Sequence, residues 1–134
     1  MRVNLAFFSM GPCQNCLMTI VYGISNCDTV KSARAWLTAH AQPHNFHDFK
    51  KSGVPSHLLP LWIHAIGTHK LINRQGTTWR KLDIAAQNAA IDDAGAIALM
   101  IAQPSIIKRP VVDWGGGIVT VGFEPAVWSY RLSV

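Results

Sequence analysis

The chain has 134 residues, 49% of them hydrophobic and 14% charged, with a net charge of +5 and a pI near 9.5. This composition predicts one globular domain with a real core and excludes a disordered chain. No apolar run reaches the roughly 20 residues that a membrane-spanning helix needs. The positive net charge favours anionic partners. Because Lys and Arg are scattered along the chain, a small oxyanion or a carboxylate-bearing thiol is as compatible with this charge as nucleic acid is.

The three cysteines do not make a disulfide framework, and they suit a reducing, cytoplasmic setting. Two of them, Cys13 and Cys16, form a CxxC within residues 1–17. A redox CxxC needs a helix to begin at it, but a strand-like run follows here at once. We therefore expect residues 1–17 to be an N-terminal extension arising from start-site choice, outside a single domain of residues 18–134. A disulfide between either cysteine and Cys27 remains open.

Cys27 lies where a predicted strand passes into a predicted helix. Residues 19–22 are β-branched or aromatic and predict the strand, and apolar residues recur at helical spacing over 30–37. The free N–H groups and the macrodipole at a helix N-terminus favour a thiolate, and Lys31 adds positive charge. We therefore interpret Cys27 as a nucleophile, the alternative being a small buried hydrophobe.

The middle of the chain alternates between strand and helix signals. Residues 45–49 predict a second strand and so a βαβ unit, followed by a loop at 50–55. Ser56 is a good N-cap for a helix over 56–66. The basic segment 68–82 predicts short helical turns, and a further helix is expected over 92–102.

The last third predicts a β-hairpin and a helix. Two apolar runs, 105–114 and 118–122, are joined by three glycines. Pro110 cannot donate to a ladder, so it should begin its strand. A final helix begins at Glu124 and Pro125. The element order, with a helical insertion at about 55–103, is that of an α/β protein with a thioredoxin-like fold and a mixed sheet.

Two strings carry a resemblance to a known family: YGISNCDTVK at 22–31 and IKRPVV at 107–112. Together they resemble the arsenate reductase-like (ArsC/Spx/YffB) family, and within it the YffB subgroup. The resemblance covers residues 18–132 and implies the thioredoxin-like fold.

The resemblance also implies roles for individual residues. The family's arsenate reductases use a cysteine at the strand–helix junction, which matches Cys27, and hold the oxyanion with arginines that match Arg74 and Arg109. We therefore expect Cys27, Arg109 and Arg74 to be catalytic. The family's proline is cis, so we expect a cis Pro110 that shapes the groove opposite Cys27. The residues expected to bind substrate or glutathione are Asn26, Asp28, Thr29, Lys31 and Pro110.

Competing interpretations exist for several of these residues. Asn26, Asp28 and Thr29 also suit capping of the first helix. Arg109 is also placed to form an ion pair with Asp113. The six histidines lie on separate predicted elements without an HExxH pattern, so we predict no metal site.

Three positions depart from the family pattern and bear on the choice between arsenate reductase, Spx regulator and thiol reductase. Arsenate reductases carry a third arginine where this chain has Glu124, and a histidine where it has Gly23. Spx regulators carry a second cysteine where this chain has Val30. The YffB subgroup implies a glutathione-dependent thiol reductase that works through a mixed disulfide on a single cysteine.

Two alternative functions stay open. One is a glutathione- or glutaredoxin-coupled arsenate reductase, and the other is an Spx-like, non-enzymatic regulator that binds RNA polymerase. The resemblance implies glutathione, or another small anionic thiol, as co-substrate, with no bound cofactor and with glutaredoxin as a further candidate partner. We expect a cytoplasmic monomer that binds neither membranes nor nucleic acid.

Overall fold

The computed structural model describes residues 18–133. The predictions for residues 1–17, including the Cys13 and Cys16 pair, lie outside this range. Between residues 18 and 133, no helix combines the length and the apolar character that crossing a bilayer requires.

A four-stranded mixed sheet forms the centre of the fold. Its strands are β1 (Thr19–Gly23), β2 (His44–Asp48), β3 (Val111–Gly115) and β4 (Ile118–Val121). They lie in the order β2-β1-β3-β4, with β4 at one edge. Strand β1 pairs in parallel with β2 and antiparallel with β3, which pairs antiparallel with β4. The predicted mixed sheet and C-terminal hairpin are therefore confirmed.

Helices supply the connection between the parallel strands and most of the chain between β2 and β3. In the described part of the chain they are α1 (Asp28–Ala39), α2 (Phe49–Ser52), α3 (Leu59–Ile66), α4 (Thr68–Leu71), α5 (Thr77–Lys81), α6 (Ile84–Ala89), α7 (Asp93–Ala102) and α8 (Pro125–Ser133). Helix α1 connects the parallel strands β1 and β2. Helices α3 to α7 form the helical insertion predicted at about 55–103, and the thioredoxin-like fold is confirmed.

The sheet separates two groups of buried side chains. Because neighbouring residues of a strand face opposite sides, Tyr22 and Val21 of β1 enter different clusters. On one face Tyr22 packs edge-on against Trp62 of the insertion, with ring centroids 4.8 Å apart. On the other face Val21 packs with Leu37 of α1 and Trp128 of α8. The insertion and the α1–α8 pair therefore cover opposite faces of the sheet.

Three local predictions were wrong. Strand β2 begins and ends one residue earlier than predicted, at His44 and Asp48. The predicted loop at 50–55 begins as a helical turn, because the Asp48 carboxylate caps α2 by accepting a hydrogen bond from the Lys50 N–H (2.9 Å). Helix α3 starts at Leu59 instead of directly after Ser56.

Candidate active site

Cys27 is the N-cap residue of α1, with an extended backbone (φ −146°, ψ 121°). Its carbonyl accepts the first hydrogen bond of the helix from the Lys31 N–H, at 2.9 Å. Its thiol caps no backbone group. The residue is a free cysteine and half-buried. The sulfur is therefore free of any structural hydrogen bond at the helix end and accessible to a substrate.

Gly23 allows α1 to lie close to the end of β1. A Cβ atom on Gly23 would lie 2.8 Å from Cγ2 of Val30, and Val30 is fully buried. Because a β-branched side chain has few alternative rotamers in a helix, Val30 cannot easily move aside. The histidine that the family resemblance places at position 23 therefore has no room in this packing.

The Asp48 carboxylate anchors the loop that carries the thiol. Burial opposes its charge, but hydrogen bonds from the Lys50 N–H, from the hydroxyl and N–H of Ser25 and from the Lys51 N–H outweigh burial and lower the pKa of Asp48. Ser25 belongs to the turn that leads to Cys27. One carboxylate at the end of β2 thus joins the thiol loop to the first turn of α2.

We expect Asp48→Asn to lower the free energy of unfolding by about 1 kcal/mol at pH 7, because an amide cannot accept all of these hydrogen bonds. The folded-state pKa lies below the unfolded value, so the carboxylate's contribution is complete above an unfolded pKa of about 3.9 and is lost as the pH falls through the folded pKa. Urea unfolding at pH 7 and at about pH 3 tests this.

The matched control is Asp83→Asn, since Asp83 is an exposed N-cap whose carboxylate accepts from the Ala86 N–H at 2.8 Å. The difference between wild type and Asp48→Asn should shrink at low pH more than it does for the control. A difference of the same size at both pH values would show that the charge of Asp48 is not responsible.

A long-range bridge fixes the wall opposite Cys27. Ile72 and Ile107 form an isolated antiparallel bridge. Beside it, the Asn73 N–H donates to the Ile106 carbonyl at 2.7 Å. The end of the insertion is thereby tied to the segment that leads into Pro110. The Arg109–Pro110 peptide bond is cis, as predicted.

A cavity of about 350 Å³, the thiol cavity, opens at Cys27. Its other polar and aromatic walls are Thr29, Asn73, Lys108, Arg109, Phe123 and Glu124. Three of the residues predicted for the site, Cys27, Thr29 and Arg109, are therefore brought together. The cavity also places a free thiol, two cations and one carboxylate around the same space.

Arg109 is half-buried and forms no ion pair within residues 18–133. Its guanidinium donates to the Ser105 carbonyl through Nη1 at 3.5 Å, the limit of a hydrogen bond. The alternative ion pair with Asp113 is therefore absent, and the Asp113 carboxylate instead accepts from the Gly115 N–H (2.9 Å) at a bulge of β3. The guanidinium is therefore available to bind an anion in the thiol cavity.

The other predicted site residues do not line this cavity. The exposed Arg74 directs its guanidinium over Trp79, 5.2 Å from the ring centroid. Pro110 is buried beside the cavity, and its carbonyl accepts from the Gly122 N–H (2.9 Å). Three further residues are exposed around the start of α1: Asn26, Asp28 and Lys31. Their roles in binding stay predictions, and the N-cap of α1 is Cys27 instead of any residue expected to cap it.

Among the cavity residues that the sequence did not indicate, three have polar or aromatic side chains: Asn73, Lys108 and Phe123. Asn73 and Lys108 directly precede the two arginines that the resemblance singled out, so adjacency was the available signal. Phe123 likewise directly precedes Glu124, the position at which arsenate reductases carry the third arginine. In the described part of the chain, no group of three or more His, Cys, Asp or Glu side chains is arranged to hold a metal ion.

The chain matches the ArsC family over residues 22–130. A solved YffB protein is 46% identical, with a TM-score of 0.80, and the match covers 86% of this chain and 99% of that one. A solved arsenate reductase (ArsC) related protein from Brucella melitensis is 41% identical, with a TM-score of 0.68, over 87% and 96% of the two chains. An uncharacterised protein from Haemophilus influenzae is 39% identical over 107 residues, 80% of this chain and 92% of the relative.

A thioredoxin-like fold with a free cysteine at the first strand–helix junction supports a thiol-dependent oxidoreductase of the arsenate reductase-like class. The chain belongs to the ArsC family. The predicted family and its YffB subgroup are confirmed.

Proposed function

We propose that this protein is a glutathione-dependent thiol reductase that uses Cys27 as its only nucleophile. The observation that carries the proposal is that the free thiol of Cys27 shares one cavity with Arg109, whose guanidinium forms no ion pair within the described residues. A nucleophile beside an anion-binding group suits a thiol that carries carboxylates. Glutathione is such a thiol.

The reaction runs in two thiol–disulfide exchanges. In the first, the Cys27 thiolate attacks the glutathionyl sulfur of a mixed disulfide between glutathione and a substrate thiol. The substrate leaves as a thiolate that takes up a proton, and Cys27 keeps the glutathionyl group. In the second, the thiolate of another glutathione attacks that glutathionyl sulfur, which releases glutathione disulfide and the Cys27 thiolate. Overall the substrate sulfur is reduced to a thiol and the sulfur of the second glutathione is oxidised, since the first glutathione sulfur is already part of a disulfide at the start.

This chemistry sets the remaining expectations for the protein. Both exchanges involve only sulfur, so no metal and no bound organic cofactor is required. Glutaredoxin is a candidate to replace glutathione in the second exchange. Because both steps depend on reduced thiols, we place the protein in the cytoplasm. One chain supplies every group used, so we propose that it acts as a monomer.

The two alternative functions are less well supported by the site. An arsenate reductase needs a cavity for a small oxyanion, but the Glu124 carboxylate lines the same cavity and would repel it. An Spx-type redox switch needs a second cysteine at position 30, and Val30 is instead fully buried against Gly23. These observations count against an arsenate reductase and against an Spx-type redox switch, whereas a polymerase-binding surface does not depend on residue 30.

Arg109→Met tests the proposal. We expect the KM for glutathione to rise about tenfold with little change in kcat, because one charge-assisted hydrogen bond to a carboxylate is removed. The assay is glutathione-dependent reduction of hydroxyethyl disulfide. Arg80→Met is the matched control, since Arg80 is an exposed arginine of α5 away from the thiol cavity.

A direct measurement accompanies the kinetics. After incubation with glutathione disulfide, peptide mass mapping should find the glutathionyl group on Cys27. Absence of this adduct together with absence of turnover would rule out the proposed function. If Arg109→Met has the same KM for glutathione as Arg80→Met, Arg109 does not bind glutathione.

A further inference from the structure

A second cavity of about 390 Å³, the side cavity, adjoins the thiol cavity. The two cavities share Lys108, Val121 and Glu124 as walls, and the side cavity continues to Lys70 on α4. Edge strand β4 contributes to both. The two neighbouring cavities are together called the β4 groove; Cys27 lines one of them, Lys70 lines the other, and the shared residues lie between.

Positive charges outnumber negative ones in the β4 groove. Its charged walls are Lys70, Lys108, Arg109 and Glu124. Within residues 18–133 none of these four side chains forms an ion pair with another protein group. A ligand in the groove therefore meets three cations and one carboxylate, and the carboxylate lies in the part that the two cavities share.

We propose that the β4 groove binds the amino-acid end of a γ-glutamyl thiol, with Lys70 holding its α-carboxylate and Glu124 its α-ammonium. This assignment rests on the proposed function, because it places the sulfur of that thiol at Cys27. The separate carboxylate at the other end of the same molecule binds Arg109 in the thiol cavity. Glutathione is a tripeptide of this class.

The charges of the groove and of such a ligand are complementary. A γ-glutamyl tripeptide thiol has two carboxylates and one ammonium, and the groove offers cations for both carboxylates and one anion for the ammonium. Glu124 decides the class of ligand, because it repels ligands that are only anionic and attracts one that also carries an ammonium. The side cavity also lies within the range of roughly 300–1,000 Å³ that small-ligand sites occupy.

The test uses unreactive probes, so that binding is measured apart from chemistry. S-Methylglutathione is compared with N-acetyl-S-methylcysteinylglycine, which lacks the γ-glutamyl group and carries no ammonium, by calorimetric titration of the full chain. Lys70→Met and Glu124→Gln should each raise the Kd of S-methylglutathione about fivefold, because exposed charge pairs contribute modestly. Neither variant should change the weaker binding of N-acetyl-S-methylcysteinylglycine. Lys81→Met and Asp93→Asn, at exposed positions outside the groove, are the matched controls.

The outcomes separate this inference from the proposed reaction. Equal affinity of the wild-type protein for the two probes, or no measurable binding of S-methylglutathione, would overturn the inference even if turnover is observed. So would variants that weaken both probes alike. Binding of S-methylglutathione that depends on Lys70 and Glu124, in a protein that shows no turnover, would support the groove and count against the reductase. In an active protein, the same two variants should raise the KM for glutathione and leave kcat within about twofold.

Discussion

The Cys27→Ala variant should reduce disulfides no faster than glutathione does without protein. Cys27 is the free thiol of the thiol cavity, and every exchange in the proposed reaction passes through its sulfur. The measurement is glutathione-dependent reduction of hydroxyethyl disulfide by the full chain. Binding of S-methylglutathione by the same variant shows that the fold and the groove are intact.

A second variant separates Cys27 from the other two cysteines. Replacing Cys13 and Cys16 together with serine should leave turnover unchanged, because the proposed reaction needs no resolving cysteine. If this double variant loses activity, a disulfide with Cys27 takes part in the cycle and the single-cysteine mechanism is wrong. If Cys27→Ala retains activity, another residue is the nucleophile.

Gly95→Ala is expected to lower the free energy of unfolding by about 3 kcal/mol, the upper part of the range for overpacked sites. A Cβ atom on Gly95 would overlap the backbone carbonyl oxygen of Ala89, so α6 and α7 would have to move apart. The N–H of Gly95 is also held by the Asp92 carboxylate at 2.7 Å, which prevents a local adjustment.

Whether Gly95→Ala lowers or raises the free energy of unfolding shows whether packing or helix propensity dominates at this position. Propensity alone favours alanine over glycine within a helix by about 1 kcal/mol and so predicts a more stable variant. Ala98→Gly, at an exposed position of the same helix, should cost about that amount and serves as the control. Urea unfolding of the three proteins measures both effects. A Gly95→Ala variant that is as stable as wild type would contradict the close approach of α6 and α7.

The parts of the fold that sequence predicted well are those with local causes. The β-branched run of β1, the amphipathic face of α1 and the glycine turn of the hairpin each determine their own structure. The position of Cys27 follows directly, because it lies between the first two of these elements. Val30 supported two predictions: it is a buried position of α1, and it occupies the position of the second cysteine of Spx regulators.

The parts that sequence did not predict depend on contacts between distant segments. The Ile72–Ile107 bridge places Asn73 in the thiol cavity. No local sequence pattern around Asn73 predicts that residue 72 pairs with residue 107. Arg74 was expected in the cavity from family resemblance, but its guanidinium lies over Trp79. Asp48 was predicted to lie inside a strand over 45–49, whereas it ends β2, and its carboxylate caps α2 and holds Ser25 of the thiol loop.

Phe123 links the thiol cavity to a cluster of tryptophans whose fluorescence can be measured. Its side chain lines the thiol cavity, and its ring packs edge-on against the buried indole of Trp128, with centroids 4.9 Å apart. Trp36 and Trp114 meet the same indole at 5.6 Å and 5.1 Å. A ligand that displaces Phe123 alters the surroundings of three coupled chromophores. Tryptophan emission can therefore follow occupancy of the cavity in real time and without a dye.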